Sequence, residues 1–208
     1  MLMSASSFPS DLFRRIASEF PRGSIFFAED LEFLGRDPLE IRWALSTLSK
    51  DGTSLVRLAR GVFCYPRLDE HAKLMLPDDV TVAEALARRW RVRIAPCAEQ
   101  AAYLAGLIPL QLNPLKFVSD GSFQQFNLQN GRQIVFMRRK SNKVFYFRSE
   151  KLRNLVEGLR FLGPENVTDR VIGVVRRTLP EISTSDFNHD ILLAPGWVRN
   201  ILIGECSG

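Results

Sequence analysis

The chain has 208 residues, 46% of them hydrophobic and 25% charged, and its 28 Lys+Arg against 23 Asp+Glu give a formal net charge of +5. That balance excludes a disordered or fibrous chain, and the length suffices for two small cores. No stretch reaches the roughly 18 apolar residues of a membrane span, and residues 1–9 lack the basic start and apolar run of an export signal, so a cytoplasmic protein without membrane contact is expected.

The first helix is expected over residues 10–20. Ser10 can accept the unpaired amides of its first turn, and Leu12, Ile16 and Phe20 recur at helical spacing beside Phe13. Pro21, Arg22 and Gly23 break the chain, and a short apolar segment at 24–27 leads into a brief second helix at 28–34, stopped by Gly35. A third helix begins with Asp37 as cap, Pro38 in the first helical position and Glu40 three residues beyond the cap. Along it Ile41, Leu45 and Leu48 form one stripe with Ala44 beside them, which is the core side. A rotation of about 100° per residue puts Leu39, Trp43, Ser46 and Lys50 on the opposite side, with Arg42 and Thr47 on its shoulders. After Asp51 and Gly52, two β-prone segments within 54–65 meet at Arg60 and Gly61 as a hairpin.

Three helices and a hairpin, in that order, is the order of a winged helix-turn-helix, in which the third helix enters the major groove and the hairpin touches the backbone. Residues 1–78 are read as that domain. Its 10 Lys+Arg against 11 Asp+Glu give no overall excess, but residues 36–67 hold Arg36, Arg42, Lys50, Arg57, Arg60 and Arg67 against only Asp37, Glu40 and Asp51. The DNA-facing set is therefore Arg36, Arg42, Trp43, Ser46, Thr47, Lys50, Arg57 and Arg60, with base edges read from the helix and phosphates held by the flanking arginines. The competing reading is a small helical domain that contacts protein alone, with Arg57 and Arg60 as solvated charges and Trp43 as ordinary packing.

Residues 79–208 are read as a second, α+β domain. A helix at 81–90 starts with Thr81 and Glu84 as a capping box; a short strand at 92–94 and a helix at 98–107 follow. Alternating residues from 116 to 147, around turns at 120–121, 130–131 and 141–142, indicate an antiparallel sheet. Helices are expected at 150–162, 165–179 and 185–202, the last interrupted at Pro195 and Gly196. This domain carries 18 Lys+Arg against 12 Asp+Glu, and Arg132, Arg138, Arg139, Lys140 and Lys143 form a candidate second basic patch for phosphate or an acidic protein surface; the polar side of a sheet would look the same.

For catalysis, no nucleotide-binding glycine loop, G-x-S-x-G elbow or H-E-x-x-H pair is present. A magnesium-dependent nuclease would have to use Asp78 and Asp79, or Asp186, His189 and Asp190, and charge at a helix start explains these as well. The three cysteines, Cys64, Cys97 and Cys206, are odd in number and without C-x-x-C spacing, so reduced thiols are expected, with neither metal nor cofactor.

The segments IRWALSTLSKDG (41–52), LVRLARGVF (55–63) and Tyr65-Pro66 resemble the recognition helix and wing of the AbiEi antitoxins of type IV toxin–antitoxin systems. AAYLAGL (101–107), KFVSDGS (116–122) and NGRQIVFMR (130–138) are similar to that family's middle segment, so the resemblance covers about residues 8–148 and the last sixty residues only loosely. Where family members commonly carry Thr-Asp-Gly-Pro, this chain has Ser119, Asp120, Gly121 and Ser122. The resemblance implies a non-enzymatic regulator that binds inverted repeats in double-stranded operator DNA, represses its own operon and counteracts a nucleotidyltransferase-like toxin without necessarily touching it. It leaves open whether a monomer or a dimer binds.

Overall fold

The computed structural model describes residues 7–139 and 141–206, and packing divides the chain into two units. The first runs up to Trp90 and takes in Phe126–Arg132; the second holds Arg91–Gln125 and everything from Gln133 onward. The sequence places the division after residue 78, whereas by packing the helix beyond it belongs to the first unit.

The first unit begins with α1, Ser7–Glu19, which starts ahead of the expected cap, so Ser10 lies inside its first turn. Leu12 and Ile16 on one side of it are buried, as the period requires. The two-residue strand β1, Ile25–Phe26, is followed by a 3-10 helix, Ala28–Leu34, that ends where Gly35 takes a left-handed φ of 63°. Helix α2, Pro38–Leu48, starts from Asp37, whose carboxylate accepts the Leu39 amide at 2.6 Å, so the cap and the proline both act as the sequence indicates. Strands β2, Val56–Ala59, and β3, Val62–Cys64, form the hairpin, and Gly61 at its tip has φ 75°. Antiparallel pairing of β1 to β3 (Phe26 with Phe63) closes a three-stranded sheet in the order β1-β3-β2. Beneath it, Leu12, Ile16, Leu31, Ile41, Leu45 and Leu55 form one core.

A minimal ribbon of β4, Arg67–Leu68, with β5, Leu74–Met75, leads to α3, Asp79–Trp90. Its cap is Asp78 rather than Thr81: the Asp78 carboxylate accepts the Thr81 amide at 2.8 Å and the Thr81 hydroxyl at 3.1 Å. The predicted capping box sits one turn too deep because a carboxylate immediately ahead of the helix satisfies the same orphan amides.

In the second unit β6, Ile94–Pro96, precedes α4, Ala98–Leu104. Strands β7, Leu115–Ser119, β8, Gln124–Asn127, and β9, Gln133–Arg138, complete a sheet of order β6-β7-β9-β8. The expected antiparallel pairing holds for β6 with β7, but β7 and β9 run parallel, from Leu115 opposite Ile134 to Ser119 opposite Arg138. Alternation reports which side of a strand is covered and is silent on direction. Near-continuous burial of Phe117 to Ser119 and of Ile134 to Phe136 is the mark of a parallel pair covered on both faces. The sheet stops at Arg138, and Lys143–Phe145 is a 3-10 turn where the sequence indicated strand, because Val144 is drawn into a small core with Ala95, Cys97 and Val118.

Helix α5, Glu150–Leu162, has the bounds expected, with Ser149 accepting the Leu152 amide at 3.2 Å. It lies close against α4: a Cβ on Gly158 would stand 2.8 Å from the Ala102 Cα, so only glycine fits there. The remaining helices are α6, Asp169–Thr178, α7, Thr184–Asp190, and α8, Gly196–Cys206, with the break between the last two at Pro195 as anticipated. Val171, Val175, Val198 and Leu202 meet Leu152, Leu155 and Leu159 in the unit's main core. The fold is thus α+β, with small sheets and with helices at the C-terminal end. Among the described residues no helix is long and apolar enough to cross a membrane.

Candidate nucleic-acid interface

Helix α2 sorts its residues as its period demands. Ile41, Ala44 and Leu45 are fully buried, while Leu39, Arg42, Trp43, Ser46 and Lys50 are exposed and Thr47 is half-buried. Trp43 keeps 51% of its surface and Leu39 70%, so the outer side of the helix is apolar and polar together. Arg36 is exposed, and its guanidinium lies 5.2 Å from the Phe8 ring centroid, which holds it at the start of α2. Arg60 is exposed at the hairpin tip beside Gly61. Arg57 is only half-buried; its Nε donates to the Ala59 carbonyl at 3.3 Å, next to the register shift between Arg57 and Ala59. That bond anchors the side chain to its own strand and leaves the two terminal nitrogens without a partner among the described residues.

A group that the sequence reading missed joins this surface. Arg89, near the end of α3, donates to Glu29 at 2.9 Å, and Arg42 lies 3.8 Å from the same carboxylate oxygen. The Arg89 guanidinium stacks on Phe27 at 4.6 Å, and a Cβ on Gly61 would stand 3.8 Å from its Nη1. Arg89 therefore ties α3, the 3-10 helix and the hairpin tip to the α2 shoulder that carries Arg42. With Glu29 and Arg89 sixty positions apart, no spacing rule connects them. Exposed pairs of this kind add about 0–1 kcal/mol to stability, so their main effect is to aim the guanidinium groups.

The residues of the candidate second basic patch are divided between the two units. Arg132 belongs to the first unit, where it pairs with Asp79 at 3.0 Å. In the second unit Arg138 and Lys143 are exposed, while Arg139 turns to the buried Glu157 at 3.0 Å; Lys140 lies outside the described residues. Arg139 and Lys143 line one cavity of the second unit together with Arg160 and Arg199.

The carboxylates considered for metal-assisted cleavage have structural partners. Asp78 caps α3, and Asp79 holds Arg132 and accepts from Asn130 at 3.3 Å. Asp190 is fully buried and accepts the amides of Arg148 at 2.9 Å and Ser149 at 2.8 Å, with His189 Nδ1 2.8 Å away. Asp186 is half-buried on α7 and makes no contact that joins it to the Asp190 carboxylate. Among the described residues no three His, Cys, Asp or Glu side chains gather as a metal-binding group.

The model of a family of unknown function, DUF6088, matches residues 13–186. The chain belongs to DUF6088. The match runs from α1 into α7, so membership in DUF6088 is carried by both units together and includes α2, the hairpin and the sheet of the second unit. No curated protein and no solved structure matches the chain.

Proposed function

We propose that this chain is a DNA-binding antitoxin that represses its own operon from the cytoplasm, with residues 7–65 acting as a winged helix-turn-helix. The observation that carries the reading is the exposed outer side of α2, where Arg42, Trp43, Ser46 and Lys50 are exposed together in the same domain as a hairpin tipped by Arg60. The order of elements, with β1 pairing to β3, supports it, as do the segments at 41–63 that resemble the AbiEi recognition helix and wing. In this reading Arg42, Trp43, Ser46 and Thr47 meet base edges in the major groove, and Lys50, Arg36, Arg57 and Arg60 hold flanking phosphates. Arg89 steers Arg42 through their shared carboxylate. The operator is expected to contain inverted repeats, and the functional partner is a nucleotidyltransferase-like toxin.

The test is a salt series of gel shifts on the chain's own upstream DNA against a scrambled duplex. Arg60→Ala should weaken binding to every sequence and lower the salt slope by about one, whereas Arg42→Ala and Ser46→Ala should lose about 1–3 kcal/mol of discrimination between operator and scrambled DNA. Equal binding of the two duplexes by the parent chain defeats the proposal. Leu39 and Trp43 favour one other reading, in which the same side of α2 docks a protein, since exposed apolar side chains grouped on one helix mark such sites. Retention of a protein partner that Trp43→Ala abolishes, in the absence of operator preference, would establish it.

A further inference from the structure

A cavity of about 420 Å³ opens in the second unit between the 3-10 turn at 143–145, α5 and the segment leading into α8. Four cationic side chains line it, Arg139, Lys143, Arg160 and Arg199, against one carboxylate, Glu157. Glu157 keeps only 5% of its side-chain surface and is shared: Arg139 Nη1 reaches one oxygen at 3.0 Å and Arg160 Nη1 the other at 2.7 Å. Each guanidinium is thereby fixed through a single nitrogen. Its remaining nitrogens have no partner among the described residues, so two preset forks are left open in the cavity wall.

Arg199 is pinned in a different way. It donates to the carbonyls of Ile191, Leu192 and Ala194, each at 3.2 Å, closing the 3-10 turn ahead of α8, and its Nη1 has no partner among the described residues. Lys143 is exposed, and its ammonium has no partner among the described residues. One carboxylate cannot neutralise four cations, and a buried carboxylate between two arginines is a poor device for stability alone, since removing charges from water costs as much as their attraction returns. What the arrangement does provide is fixed donors in fork geometry, the geometry that matches phosphate oxygens. Phe147, Leu193 and Pro195 add apolar surface to the lining, and the volume falls within the range of about 300–1,000 Å³ typical of small-molecule sites.

We propose that this cavity binds a small phosphorylated ligand with a flat apolar body, the chemistry of a nucleoside phosphate, its phosphate between the Arg139 and Arg160 forks and Lys143 and its ring against Phe147. The site lies wholly within the second unit and does not rest on the DNA-binding reading. It differs from a duplex-binding surface because its two central arginines are tied to one buried acid and share a concave lining with Phe147.

The experiment is calorimetric titration of the full chain with adenosine diphosphate, inorganic phosphate and adenosine in parallel. Saturable binding of the diphosphate is expected, with phosphate and adenosine each weaker by about tenfold or more, because each offers half of the recognised chemistry. Lys143→Glu should weaken the diphosphate by about tenfold or more while leaving the urea midpoint unchanged, since its side chain is exposed to solvent. Arg160→Gln should do the same at the second fork, with its urea curve recorded alongside. The proposal is overturned by absence of diphosphate binding up to about 10 mM, by equal affinity for phosphate or adenosine alone, or by indifference to Lys143→Glu. Displacement of the nucleotide by a short DNA duplex, itself weakened by Lys143→Glu, would also overturn it by making the cavity a backbone contact.

Discussion

Replacing Asp190 by alanine should unfasten the start of α5. The carboxylate is fully buried and accepts three contacts from two backbone amides: Arg148 at 2.9 and 3.0 Å to its two oxygens, and Ser149 at 2.8 Å. Both amides stand just ahead of α5, where no intrahelical acceptor exists, so alanine leaves them orphaned in a dry site. Each unsatisfied buried group costs about 1–3 kcal/mol, and the loss is partly offset because the burial cost of the charge itself disappears. The expected net destabilisation is about 2–4 kcal/mol. Asparagine retains one acceptor oxygen and should lose only about 1 kcal/mol. The assay is urea unfolding followed by Trp197 in a background with Trp43 and Trp90 changed to Phe, together with hydrogen exchange of the peptide spanning 144–152. Asp190→Ala within about 0.5 kcal/mol of the parent, with unchanged exchange at Arg148 and Ser149, would refute the reasoning. The same pair of variants bears on the nuclease alternative: magnesium-dependent DNA cleavage that Asp190→Asn abolishes without lost stability would make this carboxylate a ligand rather than a helix anchor.

Burial pushes the Cys64 and Cys97 thiols up to about 11, so at pH 8 their thiolate fractions are very small and neither is accessible. Cys206 is exposed, and burial raises it to a smaller degree. Titration with a disulfide reagent should therefore modify one cysteine in the native chain and all three in denaturant; fast modification of Cys64 or Cys97 would contradict the packing around β3 and α4. The Arg93 guanidinium, hydrogen-bonded to Asp120 at 2.8 Å, holds that carboxyl below its ordinary value even though partial burial pushes the other way. Because the folded pKa is depressed, the contribution is complete above the unfolded carboxylate value of about 3.9 and disappears as the pH falls through the lower folded value. Asp120→Asn should accordingly flatten the acid limb of a stability–pH curve; an identical limb in the variant would place the acid sensitivity elsewhere.

The local signals were strong wherever one residue type decides a conformation. Asp37 with Pro38, Gly35 and Gly61 in left-handed backbone, and the stop at Pro195 all act through their own dihedral limits and hydrogen-bonding capacity, which neighbours in sequence set. Helical period likewise sorted α2 into a buried side at Ile41, Ala44 and Leu45 and an exposed side at Arg42, Trp43, Ser46 and Lys50. Tertiary structure decided what depends on distant partners. Strand direction in β7 and β9, the Asp78 cap in place of Thr81, the pairing of Arg139 with Glu157, and the pairing of Arg89 with Glu29 each turn on which group the folded chain brings within reach. The cavity around Glu157 is the extreme case. Its walls come from a turn near residue 143, a helix near 157 and a loop near 195, and only packing puts their charges in one place. Periodicity can fix which side of an element is wet, because that is a property of the segment; it cannot fix what stands opposite, because that is a property of the chain as a whole.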